Sequence, residues 1–512
     1  MSFSMHKSIP FLLIVLIFLS IILSSWHALQ GTLNFHTDIA RDFLLFEDIY
    51  YNKNITLIGP RSGGISGVFH GPLWLYLNIP AYVLGQGNPV AIGWFWVVLF
   101  LISIYGVYYV GKKMFSHEVG LMASVLYSSV TASSVHSLFN PFGAVILFPI
   151  FYYYFWLYIK EKKILHLIIS ILTIGFITQF QMAFGVPILV LIIPYICYVA
   201  QKRKDIRPVL TLVLLVIPLS SYILFDLRHD FLQTRSVLEY LAGKRELPDE
   251  FNIPFTVFLF KRMQTMIDGA LGMVTYNKLL LTISLIGFMV FVWFKRANKE
   301  FKAHVLLFLY LFVGYFLLTL TFKGQMWGYY YWPFIGVIAL LFSSVITRLK
   351  KKELYIFTVL ISIIYLSNFI ITWRMTAGGD FSKENGALWS FYKRAAETVY
   401  NDASSEFGYY IYTNDQFGYS ARYAMNYLSR KYDDKKVFPF EKKKITYLMI
   451  DDLGDHKFTN HKDWRKYDVK LEKIPDWIKR FNRSYFIERY TLTPAEEQLP
   501  SNPNLIHTLI FR

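Results

Sequence analysis

Runs of about 20 apolar residues recur from residue 9 to residue 372, each long enough for a helix to cross ~30 Å of hydrocarbon. Backbone polar groups in lipid must be satisfied inside the segment, so each run is expected to be a helix. Eleven ranges qualify: 9–26, 89–110, 118–136, 141–159, 164–182, 184–200, 208–226, 278–295, 303–322, 330–347 and 354–372. Such recurrence excludes a soluble globular enzyme, a disordered chain and a single-span receptor. Composition agrees, because 54% of the 512 residues are hydrophobic and only 17% are charged. An average soluble chain carries about 25% charged residues.

Charge then orients the spans. The formal net charge is +17, from 52 Lys+Arg against 35 Asp+Glu. In a soluble protein this excess would suggest nucleic acid. Here the positive residues sit in short loops between apolar runs, the pattern of cytoplasmic loops, and no nucleic-acid partner is expected. With eleven spans, the basic loops Lys112–Lys113, Lys160–Lys163, Lys202–Arg207, Lys295–Lys302 and Arg348–Lys352 all fall on one side. The opposite side receives residues 27–88, the turn His136–Pro141, residues 227–277, the turn Lys323–Tyr329 and the tail 373–512. A site facing away from the cytoplasm follows, in a multi-pass protein of a plasma (inner) membrane or an endoplasmic reticulum. Residues 72–85 are apolar but only 14 long, and counting them as a span would put Lys112–Lys113 outside. They are expected to be interfacial or re-entrant. Met1–Trp26 reads as an uncleaved first span, because Ile9–Ser25 is long for a signal-peptide core and no A-x-A-like site follows. The single cysteine, Cys197, lies in an apolar run, so any outer domain must fold without an intrachain disulfide.

Composition changes at Ala377–Asp380, and residues 380–512 carry 22 Lys+Arg and 19 Asp+Glu, a soluble balance. The expected division is a transmembrane catalytic domain, 1–376, that includes the outer loop 27–88, and a soluble extracytoplasmic α/β domain, 377–512. Strand-like runs occur at Tyr409–Thr413, Ile445–Ile450, Ser484–Thr491 and His507–Phe511, with a helical stretch at Tyr419–Tyr432. Asp451-Asp452 follows a strand-like run and reads as a surface turn. The Tyr152–Tyr158 cluster reads as an interfacial aromatic belt.

Three groups could carry chemistry. The first outer loop reads HTDIARDFLLFEDI over His36–Ile49. On a helix Asp38 and Asp42 share a face with Arg41 beside them, while Glu47, Asp48 and Lys53 read as solvated loop charges. The same loop returns through Gly59-Pro60-Arg61, the Gly-rich stretch Gly63–Gly67 and Phe69-His70-Gly71-Pro72-Leu73, confining an acid, two arginines and a histidine at one interface. The second group, FDLRHDFLQTR over Phe225–Arg235, places Arg228, His229 and Arg235 directly after an apolar run. These residues can snorkel to lipid phosphates or form a phosphate clamp, since Arg offers bidentate donors and His can add a third donor or a metal ligand. The third group is polar residues near or within spans: Asn140, Gln179, Gln181 and the segment Lys323–Trp332. Such groups line a cavity or pair with a neighbouring helix. Asp42, Arg61, Asn140, Gln181 and Tyr330 are expected to line a substrate cavity. No P-loop, nucleophile elbow, HExxH, CxxC or Rossmann glycine pattern is present, so a group transfer would use a donor that is already activated.

Taken in order, these pieces resemble a known group. The chain resembles the GT-C class of membrane glycosyltransferases of bacterial type, within the dolichyl-phosphate-mannose protein mannosyltransferase superfamily and the lipid A aminoarabinose transferases. The pieces are D-x-A-R-D at Asp38–Asp42, G-P at Gly59–Pro60, FHGPLWLYL at Phe69–Leu77, N-P at Asn140–Pro141, FDLRHD at Phe225–Asp230 and the YYYWPF entry at Tyr329–Phe334. The resemblance implies about eleven spans with an extracytoplasmic C-terminal domain. It also implies a polyprenyl-phosphate sugar donor and inverting transfer at the outer membrane face. By it, Asp38 would be the general base that takes the acceptor's proton during attack on C1. Arg41, His70, Arg228, His229 and Arg235 would hold the leaving phosphate. His70-Gly71-Pro72-Leu73 stands where relatives carry K-P-P-L, and Asn140 where some carry a second acid. A divalent metal stays open, since His70 and His229 can ligate one but need none to bind phosphate. The acceptor stays open between a lipid, a protein and a glycan. Two other readings are carried forward: a flippase or transporter of lipid-linked glycans, and a polymerase or ligase using a pyrophosphate-linked donor.

Overall fold

The computed structural model describes residues 8–62, 64–244, 253–294, 299–414, 417–454 and 460–505. All eleven apolar ranges fall on helices. Seven of these helices are long and apolar enough to cross a membrane: Pro10–Leu29, Pro89–Met114, Pro141–Glu161, Met182–Arg203, Arg207–Arg228, Lys299–Thr319 and Lys352–Met375. Three other ranges are shorter apolar helices, Ile164–Phe180, Lys278–Trp293 and Phe334–Arg348. The range 118–136 forms the helix His117–Thr131 and a 3-10 turn, Ala132–Ser137, started by the Ser116 hydroxyl accepting from Val119 N at 3.3 Å. The protein is thus a polytopic helical membrane protein. Residues 72–85 form the 12-residue helix Leu73–Leu84 with Pro80 inside it. At 1.5 Å per residue it is about 18 Å long, well short of ~30 Å of hydrocarbon.

By contacts the chain divides into two compact units. The first holds Met1–Trp26, Ile55–Leu77 and Trp96–Gly378; the second holds His27–Asn54, Asn78–Phe95 and Gly379–Arg512. Much of the loop 27–88 therefore belongs with the tail rather than with the spans.

In the first unit, Pro141–Glu161 and Ile164–Phe180 form a tight helical hairpin across Lys162–Lys163. Lys162 ends its helix in the left-handed region at φ 57°, as Lys204 does after Met182–Arg203 at φ 50°. Side chains from three elements satisfy one another inside this unit. Asn368 donates to Ser129 Oγ and the Val274 carbonyl, both at 3.0 Å, and Thr372 donates to the Ser129 carbonyl at 3.0 Å. These groups are structural pairs of the kind that hold membrane helices together. The Tyr152–Tyr158 cluster is largely interior rather than a belt. Tyr152, Phe155, Trp156 and Tyr158 are buried, Tyr152 donates to the His304 carbonyl at 2.8 Å, and the Trp156 ring lies tilted against His304 at 3.7 Å.

Among the described residues of the second unit, a five-stranded sheet has the order β2-β1-β3-β5-β4. Its strands are β1 (Glu406–Thr413), β2 (Lys436–Pro439), β3 (Ile445–Asp451), β4 (Trp477–Arg480) and β5 (Tyr485–Thr491). β1 pairs in parallel with β2 and β3, and β5 pairs antiparallel with β3 and β4. The helix Tyr419–Ser429 makes the crossover from β1 to β2. Central strands covered on both faces lose the apolar–polar alternation, and β3 is buried from Thr446 to Ile450. Tyr410, Leu448, Trp464 and Phe486 form the core on one face. Asp452 makes the turn expected of it: it accepts from Gly454 N at 2.9 Å and pairs with His461. The run His507–Phe511 lies outside the described residues.

Candidate functional site

The acidic motif of the first loop lies on the helix Thr37–Tyr50, in the second unit. His36 caps it, its ring nitrogen accepting from Asp38 N at 3.3 Å. Asp38 is in the first turn, where a carboxylate meets the positive end of the helix dipole. The spacing brings Asp38, Arg41 and Asp42 together as expected. The Arg41 guanidinium donates to Asp38 Oδ1 at 2.7 Å and to Asp42 Oδ1 at 3.0 Å. The two acids differ in setting: the Asp38 side chain is 54% exposed and the Asp42 side chain only 3%. Asp38 therefore offers a carboxylate to the outside, while Asp42 anchors the guanidinium from inside. Neighbouring negative charge raises the Arg41 pKa against the opposing effect of burial.

Glu47 and Asp48 are not solvated loop charges. Glu47 pairs with Arg430 and accepts from Asn426 Nδ2 at 2.8 Å. Asp48 accepts from Asn52 and Asn54, both at 2.8 Å. Helix formation turns both carboxylates inward, which loop reasoning did not anticipate. Lys53 remains exposed, over the Tyr50 ring at 4.7 Å.

The remaining candidates lie in the first unit. Gly59 N donates to the His70 carbonyl at 2.7 Å, His70 N donates to the Pro60 carbonyl at 2.9 Å, and Arg61 bridges Phe69. The loop is seated from both sides, by Gly71 N on the Gln179 carbonyl at 3.0 Å and by Phe69 N on Gln233 Oε1 at 2.9 Å. Only glycine fits at 71, because a Cβ there would lie 1.8 Å from Gln179 Oε1. Arg61 is exposed and donates to Ser66 Oγ at 2.8 Å.

This loop closes one side of an apolar cavity of about 530 Å³. Ser62, Ile65 and Val68 line it from the loop, Met182, Ala183 and Val186 from one helix, and Leu219 and Tyr222 from another. Asp226, Gln233, Leu318, Phe322, Met326 and Tyr330 complete its wall. Of the expected cavity residues, Tyr330 lines it. Asn140 and Gln181 do not: Asn140 donates to the Phe180 carbonyl at 2.7 Å, joining two helices, and Gln181 is fully buried at the break between Ile164–Phe180 and Met182–Arg203. Arg228, His229 and Arg235 are exposed and line neither this cavity nor the one described next. The turn is organised by Asp226, which accepts from Gln233 N at 2.8 Å and from Thr234 Oγ1 at 2.6 Å. His229 stacks on Phe225 at 4.1 Å and bonds its carbonyl through Nδ1 at 2.8 Å. Among the described residues no three His, Cys, Asp or Glu side chains converge to hold a metal, so His70 and His229 would need donors from elsewhere.

A polar cavity of about 640 Å³ lies in the same unit; the segment Lys323–Trp332 lines it as one of its two expected roles, whereas the helix on its other side was not singled out in the sequence. Lys261, Arg262, Gln264, Thr265 and Asp268 line it from the helix Phe255–Gly269, and Lys323–Gly328 from the facing segment. Arg262 is 4% exposed. It donates to the Phe322 and Gly324 carbonyls, at 2.5 and 2.7 Å, between the rings of Phe258 and Phe322 at 4.8 and 5.7 Å. Among the described residues it has no ion pair, and its Nε is buried without a hydrogen-bond partner. A buried guanidinium facing a cavity beside Lys261 and Lys323 is suited to an anion. A usable signal was in the sequence: an arginine within the apolar, aromatic run FTVFLFKRM.

Comparison with solved structures places the fold. ArnT of Cupriavidus metallidurans bound to undecaprenyl phosphate superposes with a TM-score of 0.60 at 8% identity, covering 93% of this chain and 97% of that one. The apo state of ArnT from the same organism gives 0.60 at 7% identity, covering 94% and 98%. No family model matches the chain, and no curated protein matches it. The chain thus shares the fold of ArnT, helical with a C-terminal α/β domain.

Proposed function

We propose that the protein is an inverting glycosyltransferase that takes a sugar from a polyprenyl-phosphate carrier and passes it to an acceptor at the outer face of the plasma membrane. The observation that carries this reading is the pair of cavities around Phe322–Gly328. The polar cavity offers Lys261, Arg262 and Lys323, and the apolar one is lined mainly by aliphatic and aromatic side chains; Met326 belongs to both. A phosphate head with a long hydrocarbon tail is the chemistry such a pair accommodates. The fold shared with an ArnT that binds undecaprenyl phosphate supports the same donor class.

In this reading Asp38 accepts the acceptor's proton as the acceptor attacks the sugar's C1. The C1–O bond to the phosphate breaks, and its electron pair leaves with polyprenyl phosphate. General-base help of this kind contributes ~10²–10⁴ in rate. Arg262, Lys261 and Lys323 line the polar cavity of the first unit and offer positive charge to a lipid phosphate bound there. Arg41 is engaged by two carboxylates and serves Asp38 rather than the phosphate. The C-terminal domain is placed outside the cytoplasm because the basic loops then face inward. The sugar class and the acceptor are left to experiment.

Purified protein in liposomes, given labelled polyprenyl-phosphate sugars and a cell extract as acceptor source, tests this reading. A transferase releases free polyprenyl phosphate and labels an acceptor. Movement of the intact donor between leaflets without release would instead favour a transporter.

A further inference from the structure

We infer that the C-terminal domain is a positioning element for the acid-bearing helix Thr37–Tyr50, with Asp42, Asn426 and Arg430 as positioning residues for the Asp38 carboxylate. The inference rests on the reading of Asp38 as the base. A 14-residue helix is marginal by itself in water and takes its stability from what it packs against. Here the packing comes from the tail at three levels, all within the second unit.

Before the helix, the backbone is laced to the tail. Phe35 N donates to the Ala387 carbonyl at 2.8 Å, Trp389 N to the Leu33 carbonyl at 3.0 Å, and Ser420 Oγ to the Phe35 carbonyl at 2.7 Å. Along the helix, the Tyr423 ring meets Phe35 at 5.7 Å and Phe43 at 5.2 Å. At its far end, Glu47 takes both the Arg430 guanidinium and Asn426 Nδ2, and Arg430 also covers the Tyr51 ring at 4.7 Å. Ser420, Tyr423 and Asn426 lie on the one tail helix Tyr419–Ser429, and Arg430 is its C-cap. The hold therefore reaches both ends of the acid-bearing helix. Within it, buried Asp42 fixes Arg41 and Arg41 fixes Asp38, so a rotation of the helix would carry the exposed carboxylate with it.

A purely stabilising tail would make the same contacts, and kinetics separates the two. Full-length wild type, Arg430→Gln, Asn426→Ala and the charge-swapped pair Glu47→Arg/Arg430→Glu are compared in lipid, with equilibrium binding of polyprenyl phosphate measured on each. Misplacing a reacting group by about 1 Å can cost ~10²-fold. Arg430→Gln is expected to lower kcat by that order at unchanged donor KM and unchanged lipid binding. Asn426→Ala is expected to lower it less, and the swapped pair to recover most of the loss. Wild-type kcat in Arg430→Gln, or equal loss of kcat and lipid binding with no recovery in the swap, would overturn the positioning role. Asp38→Asn in the same assay separates the two readings. Full activity there overturns the base itself, whereas its loss alongside full activity in Arg430→Gln overturns the positioning role alone.

Discussion

Arg262 donates to the Gly324 carbonyl at 2.7 Å, a buried guanidinium held by backbone oxygen rather than by a carboxylate. The bond holds a positive charge in the wall of the polar cavity without neutralising it. Arg262→Gln is expected to weaken polyprenyl-phosphate binding and to slow transfer, by about 3 kcal/mol for a lost charge-stabilising donor. Arg262→Lys should recover only part, because an ammonium cannot serve both carbonyls and a phosphate in the guanidinium's fork geometry. Lipid-binding isotherms beside steady-state kinetics check both variants.

The apolar cavity makes a chain-length prediction. Ala183→Trp would fill space between Met182–Arg203 and the 62–68 loop. Each buried methylene contributes about 0.8 kcal/mol, so a long-chain donor should lose roughly tenfold or more in KM. A donor with a short lipid should be affected little. Equal loss for both donors would place the lipid elsewhere.

Gly71→Ala tests the loop that closes this cavity. Its Cβ would lie 1.8 Å from Gln179 Oε1 and 2.9 Å from Gln179 Cα, so the backbone itself must move. The Gly71 N to Gln179 carbonyl bond should break, with loss of donor binding. Ligand binding read together with a thermal melt distinguishes a displaced loop from an unfolded protein.

Lys442 gives a pH signature to the C-terminal domain. It is buried, and its ammonium donates to the Lys470 and Leu499 carbonyls at 3.2 and 3.1 Å. Burial, reinforced by Lys470, pulls its pKa down to about 8. The unfolded chain, with an ordinary lysine near 10.5, then binds more protons between these values, so stability rises with pH across that window. The thermal midpoint of wild type should climb relative to Lys442→Met from about pH 8 to pH 10.5. A constant difference between the two proteins would contradict the buried ammonium.

The sequence was most legible where one physical term dominates. A run of apolar residues in lipid has little choice but helix, so 141–159 and 354–372 were readable directly. The strands β1, β3 and β5 carry enough β-branched and aromatic residues to show themselves. The four-residue edge strands β2 and β4 do not, because pairing rather than propensity makes them. The Asp38–Arg41–Asp42 cluster was readable from helical spacing alone. Arg262 was not singled out, since it lies in a stretch read as outer loop. The inward turn of Glu47 toward Arg430 was equally hidden, because its partner lies 383 residues away.

The most direct measurement is release of free polyprenyl phosphate from a panel of polyprenyl-phosphate sugars by purified protein in lipid, comparing wild type with Asp38→Asn and Arg262→Gln. Release by wild type, with loss in Asp38→Asn despite retained lipid binding and weakened binding in Arg262→Gln, is the predicted result. No release from any donor with cell extract supplied as acceptor source, or undiminished release by Asp38→Asn, would contradict it.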